Sequence, residues 1–232
     1  MNGEGAGVWL TVAGVALREP LLLSVALSLI LGVGGVWIGA HLSEHPGKLQ
    51  VLAEYAVTLM SDAVAEVVPA PLVTRVMPLI ATFWVFIVFS NLMGLIPGLS
   101  SPTSDLSVTS ALAIIVFLAV HGFGFAVAGW RNYLRHYLTP SPVMLPFHLV
   151  SELTRTLALA IRLFGNMMSL EMAALLVLVV AGFLVPVPLL LLHVVEALVQ
   201  AYIFGMLALI YIGGALDAAH LTDLPSSTEN ES

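Results

Sequence analysis

The sequence predicts an all-α polytopic membrane protein with five transmembrane helices and one amphipathic interfacial helix. Of its 232 residues, 59% are hydrophobic and only 9% are charged, and the mean hydropathy is +1.05. Soluble domains carry roughly 25% charged residues, and the chain repeatedly shows the apolar runs of about 20 residues that a bilayer crossing needs. The net charge of −7 argues against nucleic acid as a partner, and the absence of cysteine excludes disulfides and thiolate metal sites.

Polar turns and proline-rich breaks divide the chain into successive apolar segments. In chain order we predict an N-terminal segment at 1–19, a spanning helix at 20–40, a polar turn and interfacial helix at 41–75, a hairpin of two spans at 76–96 and 106–129, a loop at 130–146, a long helical hairpin at 147–216 and a polar tail at 217–232. The interfacial helix is indicated because polar residues recur about every fourth position between apolar ones. Pro69 and Pro71 should end it, and Pro186 and Pro188 should separate the two long helices, which are expected to be tilted.

The distribution of basic residues predicts the orientation. Two loops on the same side of the membrane hold Lys48, Arg75, Arg131 and Arg135. The loops on the other side have no Lys or Arg, so the positive-inside rule places 41–75, 130–146 and the C-terminal tail in the cytoplasm. The N-terminus and the 97–105 loop then lie outside. We find no internal repeat, which argues against a transporter built from inverted repeats.

The most informative segment is 152–171, ELTRTLALAIRLFGNMMSLE, in which charged residues interrupt an otherwise apolar helix. An arginine at the bilayer centre costs from about 2.5 to about 17 kcal/mol, so Arg162 indicates function rather than packing. Helical spacing places Arg162 and Asn166 on one stripe, and Glu171, nine residues from Arg162, on the opposite side. The structural alternative is an ion pair of Arg162 with Glu171 or Glu196.

The last helix carries a second polar set, His193, Glu196 and Gln200, whose spacing places all three on one face. An imidazole, an acid and an amide in line are typical of a proton relay or a wet channel lining. In a simple antiparallel hairpin, Glu171, Glu196 and Gln200 lie at similar depth, toward the outside, and Glu171 should turn toward the last helix. The resulting polar path ends near Arg162, which would act as an electrostatic barrier or as the partner of a carboxylate from another subunit.

Several polar residues have structural alternatives. His193 and Gln200 could serve only as hydrogen-bonding contacts between helices. Asn91 could cap a helix end, and a Ser-Asp pair ending at Asp105 is an ordinary N-cap. Glu152 and Arg155, three residues apart, predict a local ion pair. No H-E-x-x-H, G-x-S-x-G or P-loop occurs, so we predict no catalytic residue, metal site or cofactor.

Five segments, in order, resemble subunit a of the F-type ATP synthases. They are PGKLQVLAEY (46–55), SNLMGLIPG (90–98), PTSDLSVTSALA (102–113), RLFGNM (162–167) with Glu171 after it, and HVVEALVQAYIF (193–204). The segment TLALAIRLFGNMMS is most similar to the bacterial members of this family. The resemblance leaves open whether the chain belongs to an alternative branch of sodium- or proton-driven ATPases.

The resemblance implies a non-catalytic stator subunit that passes protons or sodium ions through two half-channels to a rotating ring of c subunits. Arg162 matches the family's essential arginine, which interacts with the ring carboxylate, and Asn166 belongs to the same signature. Matches to outer half-channel positions are Glu171, His193 and Glu196, with Asn91 and Asp105 toward the same channel. Gln200 matches the glutamine near the essential arginine. Implied partners are the c-ring, the b-subunit stalk, the whole complex and the lipid of a bacterial inner membrane.

Two other classes of function compete with this interpretation. A stand-alone ion channel or secondary transporter would conduct ions as the purified chain alone. An intramembrane hydrolase would need His193 and Glu196 to act together with a nucleophile or metal motif, which the sequence does not supply.

Overall fold

The computed structural model describes residues 8–12, 15–42, 47–96, 99–138, 144–181 and 186–221. This part of the chain consists of six α-helices, preceded by a small antiparallel hairpin of strands β1 (Val8–Val12) and β2 (Val15–Arg18), in which Val12 pairs with Val15. The helices are α1 (Glu19–Ala40), α2 (Lys48–Ala65), α3 (Ala70–Met93), α4 (Leu106–Leu138), α5 (Met144–Ala181) and α6 (Pro186–Leu221). A 3-10 turn at Pro102–Ser104 connects α3 to α4. The hairpin is an addition that the sequence does not predict.

Five of the six helices are long and apolar enough to cross a membrane, which confirms the predicted fold class. The candidate spans are Glu19–Ala40, Ala70–Met93, Leu106–Val127, Pro146–Val180 and Pro188–Leu216. The remaining helix, α2, is not among these candidate spans. It packs against α3 and buries Val64 completely, whereas most of its other residues are exposed or half-buried.

The element boundaries differ from the predicted ones at prolines and at one glycine. Pro71 lies in the first turn of α3 and Pro186 is the first residue of α6. Both therefore belong to the first turn of the following helix, where proline is tolerated because it lacks only an N–H that the first turn leaves unbonded. Gly129 has a positive φ of 73° and interrupts α4, but helical structure resumes and continues to Leu138.

The predicted 130–146 loop is therefore largely helical where it is described, since α5 begins at Met144. Its residues 139–143 lie outside the described part of the chain. The predicted polar tail begins later than expected, because α6 continues to Leu221.

The core forms around α6, which packs against both α3 and α4, with α5 packed against α4 and α6. The largest side chains buried there are Ile80, Ile87, Leu159, Leu163, Phe204, Leu209, Ile212 and Leu216. Phe83 and Phe204 meet edge to face with their ring centroids 5.7 Å apart. By contrast, α1 is peripheral and buries only Leu27, so nearly all its apolar surface is left for lipid or another protein.

Candidate functional site

A buried polar cluster joins the end of α3 to α6. Asn91, the third-last residue of α3, is completely buried, and His193 of α6 is 3% exposed. The Asn91 carbonyl oxygen lies 3.2 Å from His193 Nε2. Since a carbonyl can only accept, the Nε2 atom carries the proton in this contact. Asn91 Nδ2 also makes a long hydrogen bond of 3.5 Å to the Ala197 carbonyl, so one asparagine contacts α6 at two levels.

The same cluster reaches α5 through the segment before α4. The backbone N–H of Ser101 donates to Glu171 Oε1 at 2.7 Å. The Ser101 hydroxyl lies 2.9 Å from the Ser90 carbonyl oxygen and 2.7 Å from the Thr103 hydroxyl, and it can donate its single proton to either one. Thr103 in turn donates to Asn91 Oδ1. The Glu171 carboxylate is therefore bonded to the segment before α4, whereas the sequence predicts that it turns toward α6.

The register of the α5–α6 hairpin is given by a hydrogen bond of 2.8 Å from Asn166 Nδ2 to Gln200 Oε1. Gln200 is 2% exposed and lies at the depth of Asn166, one helical turn from Arg162. Glu171 is five residues further along α5, about 7.5 Å away along the axis. In an antiparallel pair that is the level of Glu196, so the predicted shared depth holds for the two acids but not for Gln200, which lies closer to Arg162.

Arg162 is exposed, whereas its neighbour Leu163 is completely buried, as is Met167 one turn after Leu163. Within the ranges that the structure describes, Arg162 forms no hydrogen bond or ion pair, so the predicted alternative of a structural pair with Glu171 or Glu196 is not observed. Exposed apolar side chains also occur on these two helices. They are Ile161, Met168 and Met172 on α5 and Leu198, Val199 and Tyr202 on α6, all between 42% and 56% exposed.

Two other predicted polar residues have structural roles. Asp105 Oδ1 accepts the backbone N–H of Ser107 at 2.7 Å and so caps α4, in agreement with its N-cap alternative. The Arg155 guanidinium lies over the ring of Tyr211, 5.1 Å from the centroid, where it links α5 to α6. The Arg155 side chain thus extends toward α6 and contacts an aromatic ring. This corrects the predicted pairing of Arg155 with Glu152.

The structure brings Asn91, Glu171 and His193 into one cluster and Asn166 and Gln200 into another, with half-buried Glu196 on the face of His193. The sequence does not single out Ser101 and Thr103, which hold the first cluster together. Serine and threonine beside a proline are read as turn residues. Their position could have indicated a role in the site, because two hydroxyl groups flank Pro102 in the short connection between two apolar spans.

Five apolar helices, two internal polar clusters and an arginine without a partner in the described chain define a multi-pass membrane protein with an intramembrane polar path. Proteins that translocate ions belong to this class. The profile of the family described as ATP synthase A chain matches residues 21–213, and the chain belongs to this family of ATP synthase subunits a.

Bacterial relatives agree with this assignment. The chain is 51% identical to ATP synthase subunit a 1 of Hahella chejuensis over 100% of its own length and 98% of that protein. It is 58% identical to ATP synthase subunit a of Legionella pneumophila over 76% of each chain. It is 53% identical to ATP synthase subunit a 2 of Pelobacter propionicus over 93% of its length and 94% of the relative. Membership places the chain in the membrane sector of an F-type ATP synthase, in a bacterial inner membrane, and implies a part in ion translocation.

Proposed function

We propose that the chain provides two half-channels, which pass protons or sodium ions to and from a carboxylate on the c-ring. The observation that carries this proposal is the exposed Arg162 on the spanning helix α5, with no partner among the residues that the structure describes. A permanent charge facing lipid is costly. A neighbouring subunit that supplies a carboxylate removes this cost and makes Arg162 part of the interface.

The outer half-channel follows from the two polar clusters. Ions enter from the side where α3 ends, past Asn91, His193 and Glu171, with Asp105 at the margin. Glu196, one turn from His193, continues the path, and the Asn166–Gln200 pair lies between it and Arg162. In this proposal the N-terminus and the outer channel lie outside, and the 41–75 segment and the C-terminal tail are cytoplasmic.

The work of the subunit is electrostatic rather than covalent. An ion from the outer path neutralises a c-ring carboxylate, which can then face lipid while the ring turns. Arg162 favours the ionised carboxylate on its return, so that its ion leaves on the cytoplasmic side, and it blocks direct leakage between the half-channels. Each elementary charge that crosses is worth about 2.3 kcal/mol per 100 mV, which drives the rotation.

The exposed surface of α1 provides a candidate contact for the b-subunit stalk. Its residues Leu29, Ile30, Val33 and Val36 are each 63% to 74% exposed. The c-ring would cover a different surface, the one that exposes Arg162.

Reconstitution distinguishes a stator subunit from a stand-alone channel or transporter. We expect no ion flux when the purified chain alone is placed in liposomes. Flux should appear when the chain is combined with the c-ring and the b subunit, and it should be lost from a matched preparation without the chain. Voltage-driven flux through the chain alone, at the rate of the assembled sector, would refute the proposal.

A glycine beside Arg162 gives a test of the ring contact. A Cβ added to Gly165 meets nothing within 4 Å in this chain, so Gly165→Ala should insert and fold normally. If the ring packs closely here, the added methyl group should weaken its association roughly tenfold, since overpacking costs about 1–3 kcal/mol. The measurement is c-ring retention during purification of the complex. Gly122→Ala on α4, equally unobstructed, is the matched control and should retain the ring.

A further inference from the structure

The segment from Ser101 to Thr103 is completely buried at both ends, although it connects two spanning helices. Ser101 and Thr103 are each 0% exposed, and Pro102 between them is buried. Connecting segments are normally exposed because their polar groups need water. Here the polar groups are bonded instead to residues of the buried polar cluster that joins the end of α3 to α5 and α6.

We propose that Thr103 and Ser101 are positioning residues for ion translocation, which hold Asn91 and Glu171 in place through their hydrogen bonds. The inference rests on the proposed function, because it concerns the outer half-channel. The two residues do not touch the ring; they act through the groups that line the path.

The contacts form a continuous connection between the two channel helices. On one side the Ser101 N–H bonds to Glu171 of α5. On the other side Thr103 donates to the Asn91 side chain, and the Asn91 carbonyl oxygen accepts from His193 of α6. Because the Thr103 proton is donated to Asn91, the two hydroxyl groups, 2.7 Å apart, join these halves when Ser101 donates to Thr103 rather than to the Ser90 carbonyl. The segment therefore determines how Glu171 and His193 are placed relative to each other.

The hydroxyl groups themselves, and not only their volume, are needed for this role. Without the Thr103 hydroxyl, Asn91 Oδ1 loses its donor in a buried site. The Asn91 amide then has only its long bond of 3.5 Å to Ala197 to define its orientation.

The test compares Thr103→Val with Thr103→Ser in the complete complex. Valine keeps the shape and removes the hydroxyl, whereas serine keeps the hydroxyl. At equal amounts of assembled complex, Val should lower ion flux through the membrane sector roughly fivefold to a hundredfold, the range expected when a buried group loses its donor. Ser should restore flux to within about twofold of wild type. Wild-type flux in assembled Thr103→Val would overturn the inference.

A double-mutant cycle with Asn91→Leu separates positioning from general stabilisation. If Thr103 acts through Asn91, adding Thr103→Val to Asn91→Leu should cause no further loss of flux. Additive losses would show that Thr103 only stabilises the segment, and would also overturn the inference. If Thr103→Val does not assemble, Ser101→Ala serves instead, because it removes one hydroxyl and keeps the N–H to Glu171. Reduced flux is expected there, and unchanged flux counts against the inference.

Arg162→Ala in the same assays separates the two levels of the proposal. If Arg162→Ala abolishes coupled ATP synthesis while Thr103→Val behaves as wild type, only the positioning role fails. If Arg162→Ala retains coupled synthesis, the proposed function itself fails.

Discussion

Replacement of Arg162 by alanine is expected to abolish ion-driven ATP synthesis and to leave the subunit folded. Arg162 is exposed on α5 and makes no bond within the described chain, so its removal disturbs none of the packing of Leu163 and Met167 behind it. In the complex, however, it would face a ring carboxylate away from water. Losing one partner of a buried charge pair costs about 3–5 kcal/mol, which lowers the rate at least about a hundredfold. ATP synthesis by reconstituted complexes under an imposed potential provides the measurement.

Arg155→Ala is the matched control, since it removes the same side chain from the same stripe, seven residues earlier. Arg155 stacks on Tyr211, and a cation–π contact at an exposed site contributes about 0.5–1 kcal/mol. Most of the synthesis rate should therefore survive. Equal losses of synthesis rate in the two variants would mean that the total positive charge on this face, and not the position of Arg162, determines the rate. A normal rate in Arg162→Ala would reject the ring-facing role.

The fold could be predicted from sequence because the bilayer imposes a length on every span. Hydropathy alone located all five candidate spans. The boundaries were less predictable, because a proline is compatible with a helix start as well as with an end, as Pro71 and Pro186 show. The predicted span 106–129 ends at Gly129, but one residue at positive φ redirects the chain without changing the helical preference of the residues after it.

Site residues could be predicted where placing them in an apolar helix is costly in any surroundings. They could not be predicted where their role depends on a partner far away in the sequence. Arg162 stands out because a charge in an apolar helix is unfavourable whatever surrounds it. Glu171 bonds to the backbone N–H of Ser101, 70 residues earlier. Because nearly every residue carries a backbone N–H, the sequence does not indicate which one Glu171 contacts. The depth of Gln200 likewise depended on the register of the hairpin, which the Asn166 side chain reveals only once the helices are packed.

The packing of α3 against α6 should be destroyed by the smallest possible change at Gly205. A Cβ built there would overlap the Trp84 indole at Nε1 and Cδ1. The indole has little room to retreat, because it is 6% exposed and stacked on Tyr202 at 6.3 Å, with its N–H 3.4 Å from the Tyr202 carbonyl. Gly205→Ala should therefore destabilise the subunit by about 3 kcal/mol or more, a large part of a typical folding free energy of about 5–15 kcal/mol.

The measurement is the amount of subunit found in membranes and in assembled complexes, which should fall sharply for Gly205→Ala. Gly214→Ala lies nine residues further along the same helix, where an added Cβ meets nothing within 4 Å, and it should accumulate as wild type does. Reducing the indole should relieve the clash, so Trp84→Leu combined with Gly205→Ala should recover part of the lost subunit. If Gly205→Ala alone accumulates normally, the close approach of Trp84 to α6 is not what holds α6 in the register that brings His193 to Asn91.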